Sequence, residues 1–161
     1  MATPDRIEDR KGKWILPLIR YLRFRRRWIY LKERGSDIAL AEERERVVNY
    51  RWVPLESLSE LDALLKRVRR NRRPAPVPTL ILHGIHDHTA PFSHALRLRR
   101  ELGRSATLIA LPRSYHVLTR DREKEDLARV TLAFLEGTPP SEIPLPRGWV
   151  RYPPVEEPPA R

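Results

Sequence analysis

PTLILHGIHDHTAP, residues 78–91, is the stretch on which the fold turns. TLILHG (79–84) is a short apolar run that ends on a glycine, as a parallel strand covered on both faces requires. Pro91 suits the start of a helix. From there Phe92, Ala95, Leu96, Arg99 and Leu102 fall along one helical face. Between strand and helix lies a loop dense in polar groups: His86, Asp87 and His88, with His83 at the strand end.

The same grammar repeats downstream. ATLIAL (106–111) is a second apolar run, closed by Pro112. A loop, PRSYHVLT (112–119), leads to Asp121, which suits a helix N-cap. Leu127, Val130, Phe134 and Leu135 then form an apolar stripe, and Gly137 stops the helix. Strand–helix–strand–helix makes one right-handed crossover unit of an α/β sheet. In open parallel sheets the chemistry sits beyond the carboxyl ends of the strands. Asp87 lies just past the first strand and His116 just past the second, so neighbouring parallel strands bring their loops together. A carboxylate that accepts the Nδ1 proton of an imidazole fixes its tautomer and stabilises its cation. The other ring nitrogen is then free to act as a base in acyl transfer.

Outside this unit the chain changes character. Residues 1–12 read as disordered. Residues 13–73 read as a helical, amphipathic segment without a strand pattern. Within it, Lys13–Leu31 mixes aromatic and aliphatic residues with arginine, and residues 38–49 form a short charged helix capped by Ser36 or Asp37. After Pro54, the residues Leu58, Leu61, Leu64, Leu65 and Val68 recur at helical spacing. Residues 74–137 hold the α/β unit, entered through the rigid connector PAPVP (74–78). Residues 138–161 carry half of the chain's 16 prolines and read as an extended or disordered tail.

The bulk numbers fit one domain of 161 residues with 40% hydrophobic content. The absence of cysteine excludes disulfides and thiolate metal sites. No apolar run approaches the ~20 residues of a membrane span, and the first residues lack a signal-peptide core, which points to the cytoplasm. The net charge of +11 is concentrated at RFRRR (23–27) and KRVRRNRR (66–73). No nucleic-acid-binding motif accompanies it, so no nucleic-acid partner is expected.

The loop motifs carry a resemblance. PTLILHGIHDHTAP, followed by RSYHVLTRDREKEDL and FLEG, resembles the C-terminal part of α/β-hydrolases, with bacterial carboxylesterases and monoacylglycerol-lipase-like enzymes as the most similar group. SDIALAEERERVVNYRWVPLESLSELDALL resembles the lid that interrupts the core in that group. The similarity runs over roughly residues 13–137. It implies the C-terminal portion of an α/β-hydrolase fold behind a helical lid, a serine mechanism on an ester or acylglycerol substrate, and no cofactor. It implies Asp87 as triad acid and His116 as triad base. Trp14, Leu18, Trp28 and Trp52 are candidate walls of an apolar pocket, although simple lid packing is the favoured reading of each taken singly. His83 reads as packed or backbone-bonded, His86 and His88 as supports of the loop, and His94 as exposed.

Such enzymes place their nucleophile at G-x-S-x-G, ahead of acid and base in the chain. Upstream of Asp87 the serines are Ser36, Ser57 and Ser59, and none has that setting. GRSAT (103–107) ends in threonine and leads from helix to strand, the reverse of the nucleophile turn. The expectation is therefore a half that is inactive alone, with a missing N-terminal half as its natural partner. The TLILH strand would then have an unpaired edge. A metal site is the weaker reading. Metallo-β-lactamase-like enzymes carry H-x-H-x-D-H, whereas the order here is H-x-x-H-D-H, one step out of register. The alternative from another class is a non-catalytic module whose basic, apolar-sided segment 13–31 meets a membrane surface or a partner. A lid can also touch a lipid surface, so the two readings overlap there.

Overall fold

The computed structural model describes residues 29–31, 36–48, 50, 52–71, 73 and 76–155. Its centre is a three-stranded sheet in the order β3–β4–β5. The strands are β3 (Thr79–Gly84), β4 (Ala106–Leu111) and β5 (Val150–Tyr152). β3 and β4 pair in parallel, from Thr79 opposite Ala106 to Gly84 opposite Leu111. Both strands have the bounds that their uninterrupted apolar runs prescribe. All six residues of β4 are buried, because it has a neighbour on each edge and a layer on each face.

Strand alternation divides the core in two. Ala106 and Leu108 of β4 and Ile81 of β3 face α3 (Phe92–Leu102), packing with Ala95, Phe92, Leu96 and Leu102. Ile109 and Leu111 face the other way, onto Leu127 and Val130 of α4 (Lys124–Leu135) together with Leu118, Ile143 and Trp149. The end of α4 is a Schellman motif: the Thr138 amide donates to Ala133 O at 3.0 Å and the Gly137 amide to Phe134 O at 3.1 Å. Gly137 has φ +95°, a backbone state that side chains resist.

Two readings of the sequence are corrected here. Over its described part, residues 138–155, the tail is ordered against the core rather than free. β5 pairs antiparallel with β4, placing Tyr152 opposite Leu108 and Val150 opposite Ala110. Ile143 and Trp149 are buried in the core. The prolines do not keep this segment open but shape its turns: the Glu142 amide bonds Pro139 O at 2.8 Å and the Trp149 amide bonds Pro146 O at 3.1 Å. A three-residue strand is too short to show a period of two, so proline content dominates the pattern.

The segment expected to be a helical lid also contains strands. β1 (Ile29–Leu31) and β2 (Trp52–Pro54) pair antiparallel, with Ile29 opposite Pro54. Pro54 lacks an amide donor, which suits the end of an edge strand. Residues 29–31 thus leave the helix expected over 13–31, and its remaining part, 13–28, lies outside the described residues. α1 (Ala41–Arg46), between β1 and β2, and α2 (Leu55–Asn71), between β2 and the sheet, answer to the helices expected at 38–49 and after Pro54. Neither Ser36 nor Asp37 caps α1; Leu40 holds that position without a side-chain bond. Likewise Asp121 does not cap α4, which begins after Glu123. Among the described residues, no helix is long and apolar enough to cross a membrane.

Candidate active site

The parallel register sets the site. Gly84 and Leu111 end their strands side by side, and the Ile85 amide extends the ladder to Leu111 O at 3.0 Å. The two following loops therefore leave the sheet in contact. A Cβ on Gly84 would stand 2.3 Å from Ser114 O and 2.5 Å from Tyr115 O. The glycine is needed for this approach of backbone to backbone, which puts His116 within reach of Asp87. Gly84→Ala is expected to cost about 1–3 kcal/mol. Denaturant melts should register the loss, and the amide resonances of residues 114–116 should move more than those of α4.

Asp87 is buried and fully engaged. Its Oδ1 accepts the Ala90 amide at 2.6 Å and the Thr89 amide at 2.9 Å, an arrangement that closes the loop on itself. Its Oδ2 accepts Nδ1 of His116 at 2.9 Å. The same oxygen lies 3.3 Å from Nε2 of His83. Burial alone would raise the pKa of this carboxyl. The bonds from His116, His83 and the Ala90 amide outweigh it and hold the group well below the usual carboxylate range.

The sign of the pH dependence follows. A carboxyl depressed in the folded state contributes stability that is complete above its unfolded pKa of about 4 and fades as pH falls toward the folded value. Urea melts between about pH 2 and pH 6 should show stability declining below pH 4, with a shallower decline in Asp87→Asn.

His83 is buried, and its Nε2 lies 2.8 Å from Ala90 O. A carbonyl only accepts, so Nε2 carries the proton. It donates there and, at longer range, to Asp87. His83 is thus backbone-bonded as its position at the strand end implied, with a second contact on the carboxylate. His88 and His86 do border the loop. His88 Nδ1 donates to Asp37 Oδ1 at 2.8 Å, and both rings meet the edge or face of Tyr115. His94 departs from expectation: it is 1% exposed.

The imidazole of His116 is half-buried, and its Nε2 has no hydrogen-bond partner among the described residues. The pair therefore presents an ionised carboxylate, an Nδ1–H donor held by it and an accessible basic nitrogen. Ser105, in contrast, precedes β4 and bonds Leu102 O at 3.3 Å. That is the opposite end of a six-residue strand from His116, roughly 20 Å away. No group of three or more histidine, aspartate or glutamate side chains is arranged for a metal among the described residues.

Three acidic residues hold these loops and were not singled out for it by the sequence. Glu123 is buried and accepts the Ser114 hydroxyl at 2.7 Å, Nε1 of Trp149 at 2.8 Å and the Arg113 amide at 3.0 Å. Asp121 is buried and accepts the amides of Tyr115 at 2.8 Å and Ala39 at 3.0 Å. Asp37 receives the His88 and Thr89 amides at 2.8 and 3.0 Å. In sequence, Asp37 and Asp121 read as helix N-cap residues and Glu123 carries no signal of its own, so nothing local marks the partners of these three.

Comparison with known proteins agrees with this architecture. A solved structure reported for LipS and LipT, two metagenome-derived lipolytic enzymes, aligns with a TM-score of 0.68 at 22% identity. The alignment covers 83% of this chain and 51% of that one, so the chain spans about half the length of that structure. The likeness establishes an α/β-hydrolase fold. The sequence pattern of the prolyl oligopeptidase family matches residues 32–138, about two-thirds of the chain, and the chain belongs to that family. No curated protein matches it significantly.

Proposed function

We propose that this chain supplies the lid and the acid/base half of a serine hydrolase of carboxylic esters. Asp87 is the acid and His116 the base. The nucleophile and the oxyanion hole come from a G-x-S-x-G segment outside these 161 residues. The observation that carries the reading is the 2.9 Å contact of His116 Nδ1 with a buried carboxylate, with no partner on Nε2 among the described residues. In the completed site, Nε2 takes the serine proton as Oγ attacks the ester carbonyl. The imidazolium, stabilised by Asp87, returns that proton to the departing alcohol. Water then repeats the sequence on the acyl-enzyme, restoring serine and releasing the acid.

Removing the serine alone leaves ~10³–10⁴-fold catalysis over water in enzymes that keep their oxyanion hole. This chain has neither part, so by itself it turns over no ester above buffer. Ester preference over peptide draws on the loop motifs and on the lipolytic neighbour, since the same acid/base pair serves either bond. The test is hydrolysis of p-nitrophenyl butyrate after joining the chain to a hydrolase segment that carries the G-x-S-x-G turn. Activity in the joined protein, absent from either half, supports the proposal. Full activity in the 161 residues alone would overturn it.

The membrane-surface alternative draws on residues 13–31, of which 13–28 lie outside the described residues. The pocket-wall residues Trp14, Leu18 and Trp28 lie there too. Trp52 is on β2 and is exposed. No specific contact favours that alternative over the acid/base reading.

A further inference from the structure

Asp87 and His116 sit on different loops, and the structure contains one residue that grips both. Asp37 precedes α1 in the lid segment. Its Oδ2 accepts the His88 amide at 2.8 Å, the Thr89 amide at 3.0 Å and the Thr89 hydroxyl at 3.2 Å. Its Oδ1 accepts Nδ1 of His88 at 2.8 Å. These bonds fall on the two residues that follow Asp87. The main-chain carbonyl of the same residue accepts the His116 amide at 3.1 Å and the Val117 amide at 3.2 Å. Side chain and backbone of one residue therefore hold the acid loop and the base loop respectively.

The neighbouring chain makes this grip firm. Ile38 is fully buried. The next two amides, of Ala39 and Leu40, donate to the Asp121 carboxylate, which also takes the Tyr115 amide. Arg44 of α1 folds back onto Ile38 O with two bonds of 3.1 and 2.9 Å. Ile38 and the Arg44 bonds hold the chain beside Asp37 within its own segment, and Asp121 ties the same stretch to the base loop.

We propose that Asp37 is the positioning residue of the Asp87–His116 pair, setting the separation of the two loops and coupling the lid segment to the tautomer of His116. This rests on the reading of Asp87 and His116 as acid and base. Without the carboxylate, the acid loop loses its external acceptor: the His88 amide and ring lose their bonds, and the Thr89 amide keeps only Asp87 Oδ1. The carboxylate of Asp87 then drifts relative to Nδ1, and His116 loses the bond that selects its tautomer.

The test uses the 161-residue chain labelled with ¹⁵N. Long-range ¹H–¹⁵N spectra report the His116 tautomer, and amide exchange reports the loops. In the parent, His116 is expected as the Nδ1–H form. If the parent shows Nε2–H instead, the acid/base reading itself fails. If the parent is as expected, Asp37→Ala decides the proposal. Supporting results are a shift of His116 toward Nε2–H and exchange roughly tenfold faster at His88, Thr89, His116 and Val117, with Leu108 and Ile109 of β4 unchanged. Retention of the parent tautomer and loop protection overturns the proposal. So does an equal rise at every amide including β4, which marks ordinary loss of packing. If Asp37→Ala does not fold, Asp37→Asn replaces it. Its amide oxygen still accepts from the loop, so the same changes are expected at smaller size. Failure of both variants to fold assigns Asp37 a general structural role and also overturns the proposal.

Discussion

In the enzyme completed by its nucleophile-bearing half, Asp87→Asn is expected to hydrolyse p-nitrophenyl butyrate about 10⁴-fold more slowly than the parent. The size follows from the bond geometry. An ionised Oδ2 at 2.9 Å accepts the Nδ1 proton and leaves Nε2 bare. An asparagine can turn its NH₂ to Nδ1, which then accepts, and Nε2 carries the proton. The base is lost although every ring atom stays in place. Asparagine also removes the charge that stabilises the imidazolium once the serine proton has moved. The loss should appear in kcat with little change in KM, because neither group binds the ester in the ground state. His83 adds a second donor at 3.3 Å to the same oxygen, so the buried acceptor is never idle even when His116 moves.

The second large effect is on stability. Glu123→Ala is expected to cost about 3–5 kcal/mol in denaturant unfolding. Glu123 is 1% exposed. Its carboxylate is the shared acceptor of the Ser114 hydroxyl, the Trp149 indole and the Arg113 amide. Alanine leaves the Ser114 hydroxyl and the Trp149 indole inside the protein without a partner, and the more exposed Arg113 amide without its acceptor. The variant should also loosen the tail, because the indole of Trp149 is tied to the rest of the core through this bond. Emission of the tryptophans should shift to the red at lower denaturant than in the parent. A loss below ~1 kcal/mol would show that water replaces the carboxylate cheaply, and that Glu123 does not hold the base loop.

How far the sequence discloses this protein depends on the range of the interactions. TLILHG and ATLIAL are buried on both faces, and continuous burial writes itself into every residue of a strand. Their ends locate Asp87 and His116, since a parallel pair must open its chemistry at the carboxyl edge. Other features are not written locally. β1, β2 and β5 have three residues each, too few for any periodicity, and are selected by what they pair with. Asp37 bonds residues 51 and 52 positions away, and Asp121 bonds residues 81 and 82 positions away. From its neighbours each is only a polar residue near a helix start, and capping is the nearest local explanation. The proline-rich tail misleads for a related cause. Proline argues against regular structure at its own position, but says nothing about a tryptophan three or four residues on that finds a buried glutamate.

The family match and the fold place the chain among α/β-hydrolases, and the central claim is that His116 is the base of an esterase it helps to form. The direct measurement is steady-state hydrolysis of p-nitrophenyl butyrate by the joined protein and by its His116→Ala variant, both checked for folding by circular dichroism. The account predicts that the parent is active and that the variant loses at least about 10⁴-fold in kcat. A folded His116→Ala enzyme as active as its parent would contradict it.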